Sequence, residues 1–200
     1  MERNMSNFKN KLQLFREYQS SLDEVQQDEQ TSPTQEQLIK RKDHRLQFFD
    51  YSSYGYYFVT ICTHNHKNLF WDFISDSDSE EIDYSLSDIG KTVDKEINKI
   101  CGFYENVEID KYVIMPNHIH IIIVLNENYK DENHEPVKLV PTIGRIIQQF
   151  KGSITKQITY SIWQKSFYDH IIKTEKEYEN IWNYIERNPL LWKKDHYFKK

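Results

Sequence analysis

Apolar positions along this 200-residue chain follow two rhythms, one unbroken or alternating and one recurring every three to four residues. Residues 54–63 are dense in Tyr, Phe, Val, Thr and Ile, and predict a first strand. Apolar side chains at Leu86, Ile89, Val93, Ile97 and Ile100 then share one helix face. Val107–Met115 and His118–Leu125 read as two strands joined at Pro116-Asn117, most simply a hairpin. A polar loop over residues 126–138 precedes a second helix at about residues 142–158, and the short alternating run Phe167–Ile172 predicts a last strand. Thr174-Glu175-Lys176-Glu177 has capping-box spacing and opens a third helix, which Asn188-Pro189 closes.

The order β-α-β-β-α-β-α predicts an α+β, ferredoxin-like split β-α-β fold. Its sheet is antiparallel with helices on one face, and a C-terminal helix is added. Residues 1–40 are rich in Gln, Glu, Asp and Ser and read as a polar extension outside the core. Weak helical spacing at Phe8, Leu12 and Phe15 gives way to a linker from Glu24 to Gln37, and residues 41–200 form the domain. The acidic stretch Asp72 to Asp83 reads as a loop or irregular hairpin.

Composition narrows the class. No apolar run approaches the roughly 18–20 residues that cross a bilayer, and the N-terminus lacks the apolar core of a signal peptide. Cys62 and Cys101 have no CxxC spacing, so no disulfide scaffold is expected. These features predict a soluble, cytoplasmic protein with no membrane partner. The net charge of −5 is unevenly placed: residues 71–90 carry −7 and residues 141–200 carry +5. A local basic surface matters more to a polyanion than the global sum.

The chemistry concentrates in Val-Ile-Met-Pro-Asn-His-Ile-His-Ile-Ile-Ile-Val, residues 113–124. Strand side chains alternate, so His118 and His120 project from one face with about 6.5–7 Å between their Cα atoms. Two imidazoles at that spacing can converge on one divalent cation. The other reading is structural, with each histidine bonded to a neighbouring group. Thr63-His64-Asn65-His66 repeats the spacing, but where the chain turns polar, and His64 and His66 read as loop residues.

On the last helix Tyr178, Ile181, Trp182 and Ile185 form the core stripe. Tyr184 and Asn188 are neighbours one turn apart beside that stripe. The phenol can reach the sheet, and the carboxamide can join the imidazoles in an N,N,O set of His118, His120 and Asn188. Tyr178 is the competing tyrosine, but within the stripe. A boundary tyrosine and an Asn before Pro are also ordinary features of a helix end.

Five segments together resemble the HUH-type tyrosine transposases that act on single-stranded DNA, closest to the REP-associated branch. They are Tyr-Phe-Val-Thr-Ile-Cys-Thr at 57–63, Val-Ile-Met-Pro-Asn-His-Ile-His at 113–120, and Phe-Lys-Gly at 150–152. Trp-Gln-Lys-Ser-Phe-Tyr-Asp-His-Ile-Ile at 163–172 and Tyr-Ile-Glu-Arg-Asn-Pro at 184–189 complete the set.

The resemblance implies that His118 and His120 bind the metal, with Asn188, and that Tyr184 is the nucleophile. It implies Mg²⁺ or Mn²⁺, cleavage and rejoining of single-stranded or hairpin DNA through a 5′-phosphotyrosine, and a monomer or homodimer. Arg45, Arg145, Gln149, Lys151 and Lys156 are candidate DNA contacts, with Trp163 or Phe167 stacking on bases. A HUH nickase of the replication-initiator or relaxase type and a domesticated hairpin-binding protein are the rival readings.

Overall fold

The computed structural model describes residues 5–6, 8–10, 12–13, 54–73, 83–126 and 141–198. The linker, most of the acidic stretch, most of the loop after Asn126 and Arg45 lie outside them. The chain divides into two units, Met1–Asp50 and Tyr51–Lys200. In the first, the described residues are helical, and Phe8 and Leu12 are buried.

The second unit holds strands β1 (Gly55–Cys62), β2 (Trp71–Phe73), β3 (Tyr84–Leu86), β4 (Val107–Ile114), β5 (His118–Leu125) and β6 (Tyr168–Ile172). Its helices are α1 (Asp88–Phe103), α2 (Ile143–Ile158) and α3 (Glu175–Arg187), followed by a 3₁₀ turn at Pro189–Lys194. The four-stranded sheet runs β4-β5-β1-β6 with antiparallel pairing, the order of a ferredoxin-like fold. The expected α+β class is what the structure has. The hairpin of β2 and β3 stands apart as a small second sheet, with Trp71 stacked on Tyr84 at 3.5 Å.

Register sorts the side chains onto two faces. Tyr57, Val59, Ile61, Ile119, Ile121 and Ile123 share one face and are almost wholly buried. Trp163, bridged to Thr63, continues that face and rests against Phe150 of α2. Helix α1 joins α2 there through the Ser153 hydroxyl, which donates to Glu96 at 2.5 Å. Tyr56, Phe58, Thr60, Cys62, His118 and His120 point the other way, toward α3 and the 3₁₀ turn. Both faces of β5 are therefore covered, and all eight of its residues are buried.

Helix α3 begins at Thr174, whose hydroxyl accepts from the Glu177 N–H at 3.2 Å. The Glu177 carboxylate accepts from the Lys173 N–H at 2.8 Å and contacts His170 of β6 at 2.5 Å, tying the helix start to the sheet edge. A bulge between Ile109 and Lys111 inserts Asp110, which accepts the Tyr178 hydroxyl at 2.6 Å. Such a bulge re-aims a side chain, here toward α3. Lys111 pairs with Glu186 and lies 4.0 Å from the Trp182 ring. Three ties thus hold α3 over the histidine face.

Candidate active site

His118 and His120 come from the central strand and converge, their Nε2 atoms 3.0 Å apart. Each Nδ1 is held from behind. His118 Nδ1 donates to the Asn117 carboxamide oxygen at 2.9 Å. That orientation is consistent with the rest of the carboxamide, whose Nδ2 donates to the carbonyls of Tyr197 at 2.9 Å and His66 at 3.2 Å. His120 Nδ1 lies 2.8 Å from Thr60 Oγ1, its cross-strand partner. A hydroxyl can donate or accept, so Thr60 supports either tautomer. With Nδ1 protonated on both rings, both Nε2 lone pairs turn inward.

Burial, with His120 and His66 as lesser influences, pushes His118 down to about 2, and burial pushes His120 down to about 3. Both imidazoles are therefore neutral near neutrality, the protonation state that binds metal.

Tyr184 lies over this pair. Its hydroxyl is 3.1 Å from His120 Nε2 and donates to Asp195 Oδ2 at 3.5 Å, and its ring meets His120 and Phe58 edge-on. Burial, then Asp195, raises the phenol above its usual value, while the Asn188 amide lowers it. Tyr184 nevertheless remains 43% exposed, open to a ligand from solvent. Tyr178 is fully buried and bonded to Asp110, so only one of the two candidate tyrosines reaches the histidines.

The donor set fits a divalent cation. Two cis ligands, each about 2.1 Å from one ion, lie about 3 Å apart, and the Nε2 pair has that separation. Asp195 brings a carboxylate into the same cluster, its ligand atom within 4.8 Å of those of His118 and His120. Asn188 is 3% exposed, and its Oδ1 is buried with no hydrogen-bond partner among the described residues. An orphaned buried oxygen calls for a partner such as an ion.

Asp195, Asn117 and Thr60 are the residues that the sequence reading missed. Asp195 arrives because Pro189–Lys194 coils into a 3₁₀ turn and returns the chain, capped by the Asp195 N–H donating to Trp192 O at 3.0 Å. Tyr197 follows it, its ring 4.5 Å from that of His118.

The expected DNA contacts among the described residues are not gathered at this site. Arg145, Gln149 and Lys156 are exposed on α2, in the layer across the sheet from Tyr184. Gln149 accepts the Tyr104 hydroxyl at 2.5 Å. Lys151 is half-buried and donates to the carbonyls of Gln164 at 3.0 Å and Ser166 at 2.8 Å, and burial pushes it down to about 8. It braces a loop. Trp163 is buried between Phe70 and Phe150, so it offers no free ring face. His64 and His66 sit in a 3₁₀ turn, with His66 stacked on Tyr197 and 3.0 Å from the Gln164 amide nitrogen.

No protein-family model matches the chain. An uncharacterized protein of Haemophilus influenzae is 36% identical over 170 residues, covering 78% of this chain and 91% of that one. The chain belongs to that protein's family. A second H. influenzae protein, named "Putative REP-associated tyrosine transposase", is 27% identical over 150 residues, covering 70% of this chain and 73% of that one. The family resemblance carried by the five segments is thus borne out by a named relative. A solved structure of a REP-associated tyrosine transposase bound to a REP hairpin superposes with a TM-score of 0.48 at 20% identity, over 73% of each chain. No helix among the described residues is long and apolar enough to cross a membrane.

Proposed function

We propose that this protein cleaves and rejoins single-stranded DNA at hairpin-containing sites, as a metal-dependent tyrosine transposase. One observation carries the reading: the Tyr184 hydroxyl, on the only ring of α3 that touches an imidazole among the described residues, lies 3.1 Å from the convergent His118–His120 pair. A nucleophile within hydrogen-bond reach of a partner oriented by a third group is the general signature of covalent catalysis.

In this reading Tyr184 Oη attacks phosphorus and the P–O3′ bond breaks. A 5′-phosphotyrosine forms, and the 3′-oxygen leaves as a hydroxyl with a proton from solvent. Asp195, the carboxylate facing the phenol, takes the Tyr184 proton. Thr60 and Asn117 fix the imidazoles so that neither ring turns away. A Mg²⁺ or Mn²⁺ ion held by His118 and His120 with Asn188 or Asp195 would polarise the scissile phosphate and offset its developing charge. The phosphotyrosine keeps the energy of the broken ester, so attack by another 3′-hydroxyl reverses the step without ATP. The exposed α2 cations Arg145 and Lys156 are left to backbone phosphates of DNA that wraps to the far layer.

The test is incubation with Mn²⁺ and a labelled DNA hairpin bearing single-stranded flanks. A protein–DNA adduct that survives denaturing electrophoresis and disappears in Tyr184→Phe is the expected result. Loss of the adduct in a folded Tyr178→Phe variant, with Tyr184→Phe active, overturns the assignment. Hairpin binding without any adduct favours a non-cleaving DNA-binding protein.

A further inference from the structure

We propose that Tyr168 is a stacking platform for an unpaired base of the DNA strand, one nucleotide from the scissile phosphate. This rests on the strand-transfer reading above and gives its substrate a contact.

On the histidine face, Phe58, Tyr184 and Tyr197 each set a ring against an imidazole. Tyr168 does not. It is 53% exposed, and its ring meets no other ring among the described residues. Its position is nonetheless specific: it opens β6 and pairs across with Thr60, the residue that holds His120 Nδ1 at 2.8 Å. Directly opposed residues share a face, so the Tyr168 side chain leaves the sheet on the same side as His118, His120 and Tyr184.

Strand β6 is outermost in the order β4-β5-β1-β6, so solvent rather than another strand borders it among the described residues. Two strand spacings, about 9.5 Å, separate β6 from β5. That is a distance a nucleotide spans from its phosphate to its base.

A base rather than a protein side chain is the fitting occupant. Unpaired bases present flat faces of either chemistry, and one aromatic ring next to a phosphate-handling centre holds them without reading sequence. Of the two rings suggested by the sequence, Trp163 is buried on the opposite face and Phe167 is only partly exposed. Tyr168 is the exposed substitute on the correct side.

The experiment titrates wild type, Tyr168→Ala and Tyr168→Phe with a DNA hairpin whose single-stranded flank carries 2-aminopurine, moved one position at a time. Binding is read by anisotropy and stacking by quenching of the 2-aminopurine. Wild type and Tyr168→Phe are expected to quench the probe at one position, and Tyr168→Ala to lose that quenching and bind about tenfold more weakly. An abasic site at that position should erase the difference between wild type and Tyr168→Ala. Equal affinity and equal quenching in Tyr168→Ala, with melting temperature unchanged, overturn the stacking role alone. If the wild-type protein does not bind the hairpin, the DNA reading itself falls, and this inference with it.

Discussion

Tyr178 and Tyr184 stand six residues apart on α3 and have opposite surroundings. The first is fully buried with its hydroxyl on Asp110, and the second is half-exposed with its hydroxyl on His120. Removing each hydroxyl should therefore do different things. Tyr184→Phe should abolish the covalent DNA adduct while shifting stability by less than about 0.5 kcal/mol. Tyr178→Phe removes the buried hydroxyl that donates to Asp110 and should cost about 1–3 kcal/mol in urea unfolding, with the adduct still forming in the folded fraction.

Cation affinity separates the donors. Asp195→Ala removes the one carboxylate of the cluster, and calorimetric titration with Mn²⁺ should show about tenfold or more weaker binding. Asn188→Ala should weaken it also, by taking away the orphaned Oδ1. His118→Ala or His120→Ala should abolish measurable binding. His64→Ala should leave it unchanged, because that residue belongs to the 3₁₀ turn after β1.

Asn117 orients His118, one of the proposed metal donors, and tethers Tyr197 at the same time. Outer hydrogen bonds of this kind are typically worth 10–100-fold in metal affinity. Asn117→Ala should therefore weaken Mn²⁺ binding by about that factor, although Asn117 is not itself a donor to the ion. Asn117→Asp, which keeps an acceptor for His118 Nδ1, should recover much of the loss.

Acid should unfold the metal-free protein through the histidines. In the unfolded chain they titrate near 6.5, whereas burial holds them at about 2 and about 3 in the fold. A depressed folded value means stability present above pH 6.5 and lost as pH falls below it. Each histidine removes about 1.4 kcal/mol per pH unit until its folded value is reached. Chemical unfolding measured from pH 7 to pH 4 should show this slope, and the double variant His118→Gln, His120→Gln should show it much reduced.

Much of the fold was legible because its elements carry strong local signals. The helix stripe at Val93, Ile97 and Ile100 is buried as expected, and the Thr174 cap opens α3. The pairing of His118 with His120 followed from strand alternation alone. Which layer that pair faces did not. His-Ile-His-Ile-Ile-Ile-Val-Leu is apolar on both sides, so period-two alternation carries no sign, and α2 with its cations fell across the sheet from the site. Asp195 was hidden for another reason: its approach depends on six residues of 3₁₀ turn that begin at Pro189, a tertiary return with no periodicity to read. The β2–β3 pair, only three residues per strand, flanks the acidic stretch that the sequence offered as a loop or irregular hairpin, too short for its pattern to decide between them.

The central place of β5 sets how this centre comes apart. A strand paired on both edges and covered on both sides is among the last to open, so its amides should be the slowest to exchange with deuterium. Tyr184 and Asp195 come instead from α3 and the turn after it, packed over that strand from one side. In the proposed function the imidazoles thus stay fixed in the sheet while a nucleic acid strand enters beside the exposed Tyr184, without loosening the proposed metal donors.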